Sequence, residues 1–204
     1  MLSPLFAIKI YKESLALDDS IQSAMREYLL NVFDKISTSH CLEKDGGKST
    51  HQLARELHNN EIFQPLCNLI FNHASNYWNE LGLSYFLEPK IVSMWANLHT
   101  NGSWTDVHSH LGHTLVGCYY LDYTENSGDL IFLNPLEYHY HSFPFSEEGK
   151  DLCMEYPAGI RQHDLVLFPG FLKHRTNTNN TTISRISINF NIDFQAIPPV
   201  EYTF

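Results

Sequence analysis

The chain changes texture near residue 84. Before that point apolar residues recur at helical spacing; after it they alternate with polar ones. In "ALDDSIQSAMREYLLNVFDKI", Ile21, Met25, Leu29, Leu30 and Phe33 fall near i, i+4, i+8, which predicts an amphipathic helix capped by Asp18 or Asp19. "IFQPLCNLIFNHASNYWNELG" predicts a second helix, starting after Gln64 with Pro65 in its first turn and ending near Gly82. Ahead of the first, "LFAIKIYK" alternates as an opening strand. "HCLEKDGGKSTHQ", between the helices, is polar with a Gly-Gly and reads as loop.

From residue 85 onward, five short β-rich segments stand between turn signals. They are "KIVSMWANLH", "TLVGCYYLDY", "DLIFLN", "DLVLFPG" and "SRISINFNIDF", with Asn-Gly, Ser-Gly, Asn-Pro and Pro-Gly in the breaks. This predicts a mainly β protein, a sandwich or barrel behind an N-terminal helical layer. No repeat, low-complexity tract or linker interrupts it. The reading is therefore one domain over residues 1–204, with 1–84 as a mostly helical support and 85–204 as the β core.

Composition narrows the classes. Of 204 residues, 43% are hydrophobic and 13% aromatic, enough for a full core and weighted towards strands. A formal net charge of −10 disfavours bulk attraction to nucleic acid or to an anionic membrane. Cys41, Cys67, Cys118 and Cys153 form no CxxC pair and no finger-like spacing, which fits reduced thiols and a cytoplasmic setting. "MLSPLFAIKIYKES" lacks the basic and apolar regions of a signal peptide, and no apolar run approaches the length of a membrane-spanning helix.

The chemistry is concentrated in "WTDVHSHLGHTLVGCYYL". His108 and His110 stand at i and i+2, the spacing that puts two side chains on one face of a strand, about 7 Å apart along it. Two such imidazoles can converge on one metal ion. His174 in "DLVLFPGFLKHRTN" is a candidate third ligand, brought opposite by an antiparallel strand. Asp106 lies two residues before His108 and competes with His110 for the ligand set, whereas His113, past Gly112, falls in a turn. Further on, Arg185 and Ser187 repeat the i, i+2 spacing. An inward-facing arginine is costly unless it meets an anion, and guanidinium can grip a carboxylate bidentately. Val116, Cys118 and Tyr120 alternate onto one face of their strand, and Leu115, Gly117 and Tyr119 onto the other. His139 and His141 in "LEYHYHSF" form a second His-x-His, read as a loop flanking the mouth.

The set His108-x-His110, His174 and Arg185-x-Ser187 resembles the 2-oxoglutarate and Fe(II)-dependent oxygenases, whose pattern is His-x-Asp/Glu, a distant His, and Arg-x-Ser about ten residues later. "HTLVGCYYLDYTENSGDLIFLNP" is similar to their prolyl-hydroxylase-like segment. "WANLHTNGSWTDVHSH", "SGDLIFLNP" and "LVLFPGFLKH" resemble a small branch that carries His-x-His at the metal motif. The resemblance spans about residues 91–193.

It implies a double-stranded β-helix, the jelly roll of cupin-like proteins. It also implies Fe(II) held by His108, His110 and His174, with 2-oxoglutarate and O2 as cosubstrates. The distal carboxylate of 2-oxoglutarate would be met by Arg185, Ser187 and Tyr120, with Asn97 within reach. The implied reaction hydroxylates a small molecule or a protein side chain and releases succinate and CO2, with no catalytic group beyond the metal ligands. Homodimerisation is left open. Where the family has a carboxylate ligand this chain has His110, so the metal would carry one more positive charge. Two other classes use the same histidines: a three-histidine cupin-like dioxygenase without a 2-oxo acid, and a non-catalytic jelly-roll binding module.

Overall fold

A computed structural model describes residues 7–36, 42–83, 87–136 and 154–196. Strand β1 (Tyr11–Ser14) is followed by α1 (Asp19–Phe33), β2 (Glu43–Lys44), β3 (Lys48–Ser49) and three short 3-10 turns that lead into α2 (Gln64–Glu80). The β-rich part comprises β4 (Leu87–His99), β5 (Trp104–Thr105), β6 (Leu115–Asp122), β7 (Leu130–Leu133), β8 (Glu155–Pro157), β9 (Asp164–Pro169), β10 (His174–Thr176) and β11 (Arg185–Ala196). Among the described residues, no helix is long and apolar enough to cross a membrane.

An antiparallel sheet in the order β1-β9-β6-β11-β4-β3 forms the frame. A second sheet, β10-β7-β8, lies over one part of it, and β2 pairs with β5. The alternation seen in the sequence decides what each face of the large sheet meets. Met94, Ala96, Leu98, Leu115, Tyr119, Leu121, Ile186, Ile188, Phe190 and Ile192 share one buried cluster with Met25, Leu29 and Phe33 of α1 and Leu66, Ile70 and Ala74 of α2. Val116, Cys118 and Tyr120 point the other way and pack with Leu130, Phe132, Val166 and Phe168. The expected division of the β6 side chains is therefore the observed one, and the mainly β jelly-roll architecture with a helical layer is present.

Several local readings are corrected. Of the opening strand expected over residues 5–12, residues 5 and 6 lie outside the described residues, and β1 begins only at Tyr11, where backbone pairing with β9 starts. Asp18 occupies the N-cap of α1 without a side-chain cap bond. Leu30 is exposed, and Gln22 takes the buried position on α1 in its place. The stretch read as loop holds β2 and β3, which pair with β5 and β4. The N-terminal third therefore adds strands to the sheets as well as a helical layer. Residues 139 and 141, with Cys41 and Cys153, lie outside the described residues. Cys67 and Cys118 are buried free thiols, pushed up by burial to about 11 and about 12.

Candidate functional site

The second face of the large sheet carries a polar row: Ser93, Asn97 and His99 on β4, and Ser187, Asn189 and Asn191 on β11. All are buried, Asn191 to 6% exposure. Asn97, Ser187, Asn189 and Asn191 form one wall of a cavity of about 430 Å³ whose rim and floor also include Trp95, Tyr120, Thr176 and the three histidines His108, His110 and His174. Neutral hydrogen-bonding groups face inward here because the helices cover only the opposite face.

His108 and His110 do not lie on a regular strand, contrary to expectation. His108 makes an isolated antiparallel bridge to His174, with two backbone hydrogen bonds of 2.9 Å. The His110 backbone N–H donates to the Gly170 carbonyl at 2.8 Å. Gly170 permits that approach, since a Cβ there would run into the His113 carbonyl. The pairing still brings the three rings together: centroids are 4.2 Å apart for His108 and His174, 5.1 Å for His108 and His110, and 5.2 Å for His110 and His174. One ring nitrogen from each lies within 4.8 Å of the others.

The outer nitrogens fix which inner atoms can act. His108 Nδ1–H donates to the Asp106 carbonyl at 2.7 Å, His110 Nδ1–H to Asn191 Oδ1 at 2.6 Å, and His174 Nδ1–H to the Leu172 carbonyl at 2.9 Å. Each acceptor is an oxygen that can only accept, so each ring has its proton on Nδ1 and a lone pair on Nε2. His110 Nε2 is buried with no hydrogen-bond partner. Burial pushes His110 down to about 4, against the Asn191 hydrogen bond, and holds His174 well below the ordinary range, with His108 adding to the effect. Both rings are therefore neutral at neutral pH. An orphaned buried nitrogen and three convergent lone pairs fit a divalent transition metal.

Asp106 is not in this set. Its carboxylate caps the Val107 N–H at 2.8 Å, faces Lys44 at 3.4 Å, and is held below the usual range chiefly by that cap. Only its backbone carbonyl serves the site, through His108.

Arg185 is fully buried, and its fork is turned into the protein. Its NH1 group donates to the carbonyls of Ser127, at 3.0 Å, and Gly128. NH2 donates to His99 Nδ1 at 2.8 Å and to Thr176 Oγ1 at 3.2 Å. Nε has no partner. Gly128 has φ +98, and a Cβ there would collide with the Asn177 carbonyl and stand 2.6 Å from NH1, so glycine is required for the arginine to pack. The expected bidentate grip on a ligand is thus not available in this arrangement: both terminal nitrogens are committed. Tyr120, Ser187 and Asn97 line the cavity as predicted positions, and Asn97 Oδ1 has no partner. Thr176 was not singled out by sequence reasoning. Its hydroxyl accepts from Arg185 and from the Thr105 backbone N–H at 2.9 Å, which leaves its own proton to donate. Its register two residues past His174 was the available signal. Glu43, read as loop, accepts from His99, Thr105 and Asn97. Nothing in local sequence marks it.

Comparison with known proteins fits this geometry. Residues 93–191 match the family described as "Putative 2OG-Fe(II) oxygenase". Over this segment the chain is similar to the 2-oxoglutarate and Fe(II)-dependent oxygenases. That family's chemistry uses Fe(II), 2-oxoglutarate and O2, and the match contains the whole His-x-His, His, Arg-x-Ser series. The fold is shared with solved oxygenases of low identity. HygX from Streptomyces hygroscopicus, solved with nickel and 2-oxoglutarate bound, aligns with a TM-score of 0.61 at 11% identity over 96% of this chain and 85% of that one. A Pseudomonas putida prolyl-4-hydroxylase aligns with 0.58 at 11% identity over 90% and 92%. A Trichoplax adhaerens prolyl hydroxylase, solved with a hypoxia-inducible-factor peptide fragment, aligns with 0.59 at 16% identity over 90% and 82%. No curated protein matches the sequence significantly.

Proposed function

We propose that this protein is an oxygenase that couples oxidative decarboxylation of 2-oxoglutarate, to succinate and CO2, to hydroxylation of a second substrate. His108, His110 and His174 would hold the iron. The observation that carries the reading is the tautomer lock: three Nδ1 hydrogens are committed to oxygen acceptors, and one ring nitrogen of each histidine lies within 4.8 Å of the others. When bound, Fe(II) with the 2-oxo acid supplies the oxidising chemistry that no side chain can. This chain's residues would bind, orient and exclude water. Val116, Leu130 and Cys118 would form an apolar part of the cavity wall. Tyr120, whose phenol burial keeps well above its ordinary pKa, stays a neutral donor, and with Thr176 and Ser187 would face the distal carboxylate, backed by the charge of Arg185. Hygromycin B bound in one crystal of HygX, and the peptide fragment in complex with the Trichoplax adhaerens prolyl hydroxylase, support a small molecule or a protein side chain as the hydroxylated partner.

The test is O2-dependent succinate formation from 2-oxoglutarate by the anaerobically Fe(II)-loaded protein. The inward-turned fork of Arg185 favours a second reading, a three-histidine dioxygenase that takes no 2-oxo acid. Bound iron with no succinate under any condition would select it.

Two smaller effects follow. Asn191→Leu removes the acceptor that orients His110, so iron affinity measured against a chelator should fall roughly 10–100-fold; unchanged affinity would mean the amide is not needed. Tyr120→Phe should weaken 2-oxoglutarate binding by about 0.5–1.5 kcal/mol, one ordinary hydrogen bond, read by calorimetry.

A further inference from the structure

The buried chain Glu43–His99–Arg185 lies beside the cavity and is not used by the iron site. Glu43 Oε2 accepts from His99 Nε2 at 2.6 Å and from Thr105 Oγ1 at 2.8 Å, while Oε1 accepts from Asn97 Nδ2 at 3.1 Å. The other ring nitrogen, His99 Nδ1, accepts from Arg185 NH2 at 2.8 Å. His99 is 1% exposed, and burial first and Arg185 second push it below its ordinary range, so the ring is neutral. An arginine N–H can only donate, so Nδ1 must carry the lone pair and Nε2 the proton. Glu43, which offers only acceptors on that side, enforces the same tautomer.

Glu43 comes from β2, outside the segment that matches the oxygenase family. Burial works against the charge on Arg185, and the buried Tyr120 phenol stays neutral, so Glu43 is the acid that answers that charge. It does so at a distance. Coulomb attraction falls inversely with separation, so an imidazole placed between carboxylate and guanidinium supplies an acceptor for NH2 without quenching the charge. A carboxylate in direct contact would hold the arginine equally well and neutralise it. The other three contacts of the guanidinium are to uncharged oxygens of Ser127, Gly128 and Thr176, and Nε is left as the unpartnered donor.

We infer that His99, held in one tautomer by Glu43, is the positioning residue that sets Arg185 to receive the distal carboxylate of the 2-oxo acid. The inference rests on the reading that the cavity takes 2-oxoglutarate. His99 touches neither iron nor cosubstrate; it acts through the guanidinium, fixing its plane while leaving its charge for the ligand.

The experiment measures, by calorimetry under anaerobic conditions on Fe(II)-loaded protein, the affinity for 2-oxoglutarate and for 2-oxopentanoate. The second has the same chain length and lacks only the distal carboxylate, so the ratio of the two isolates Arg185. The variants are His99→Phe, which keeps a ring but has no acceptor, and His99→Asn, whose amide oxygen can stand near Nδ1. The wild type should prefer 2-oxoglutarate; His99→Phe should lose roughly tenfold or more of that preference, the scale of one charge-assisted contact, and His99→Asn should recover most of it. Equal weakening of both acids in His99→Phe is the signature of a merely structural role and overturns the inference, as does an unchanged ratio. Nitrogen NMR of the wild-type ring gives a check independent of variant folding: protonation at Nε2 is expected, and protonation at Nδ1 sinks the proposal. A wild type with no preference between the acids would bring down the 2-oxoglutarate reading itself, which separates that failure from a failure of His99 alone.

Discussion

His108→Ala, His110→Ala and His174→Ala should each lose tight Fe(II) binding, while Asp106→Ala should keep it. The two candidate third ligands were equivalent by spacing from His108. The fold separates them. His110 Nε2 is buried without a partner and within ligand distance of the other two rings, whereas the Asp106 carboxylate is spent on a backbone N–H and Lys44 at the surface. Removing one of three neutral nitrogen ligands should cost more than the roughly 10–100-fold typical of an outer partner, because no described carboxylate stands by to replace it. The readout is metal content after anaerobic loading and desalting. Iron retained in His110→Ala and lost in Asp106→Ala would reverse the assignment.

Arg185→Ala should weaken 2-oxoglutarate binding by about 2–3 kcal/mol while leaving iron in place, the scale of a hydrogen bond to a charged group. The figure is lower than a bidentate grip would give, because both terminal nitrogens already serve the protein and only Nε is unpartnered. The same variant should destabilise the fold by about 3–5 kcal/mol, since it leaves Glu43 buried without its countercharge. Thermal melting and calorimetry on one preparation separate the two losses. Full 2-oxoglutarate affinity in a folded Arg185→Ala protein would favour the dioxygenase that uses no 2-oxo acid.

Much of this was readable from residue order. A strand tolerates only one side-chain period, so "TLVGCYYLDY" and "SRISINFNIDF" announced both their conformation and the division of each into two faces. Pro65 and Gly82 bracketed α2 within a residue or two. His108, His110, His174, Arg185 and Ser187 were picked out because metal ligation and anion binding demand those residue types, and such residues are costly to bury for any other reason.

What the sequence left open has a common physical cause: partners separated by long stretches of chain leave no local signal. Glu43 looks like a loop acid until β2 pairs with β5 and places it against His99. The asparagines of "SINFN" carry no local sign of a ligand cavity until the sheets fold around them. What distinguishes His110 from Asp106 is a buried, unpartnered Nε2 against a carboxylate that caps a backbone N–H, and the Arg185 fork is turned by carbonyls from the Ser127–Gly128 turn. The sequence by itself determined the elements, their faces and the inventory of ligand atoms, because covalent periodicity and side-chain chemistry are local. Only the tertiary structure decided which nitrogens carry protons, which donors are already committed and which polar row faces a cavity, because each of those depends on what distant residues supply across a few ångströms.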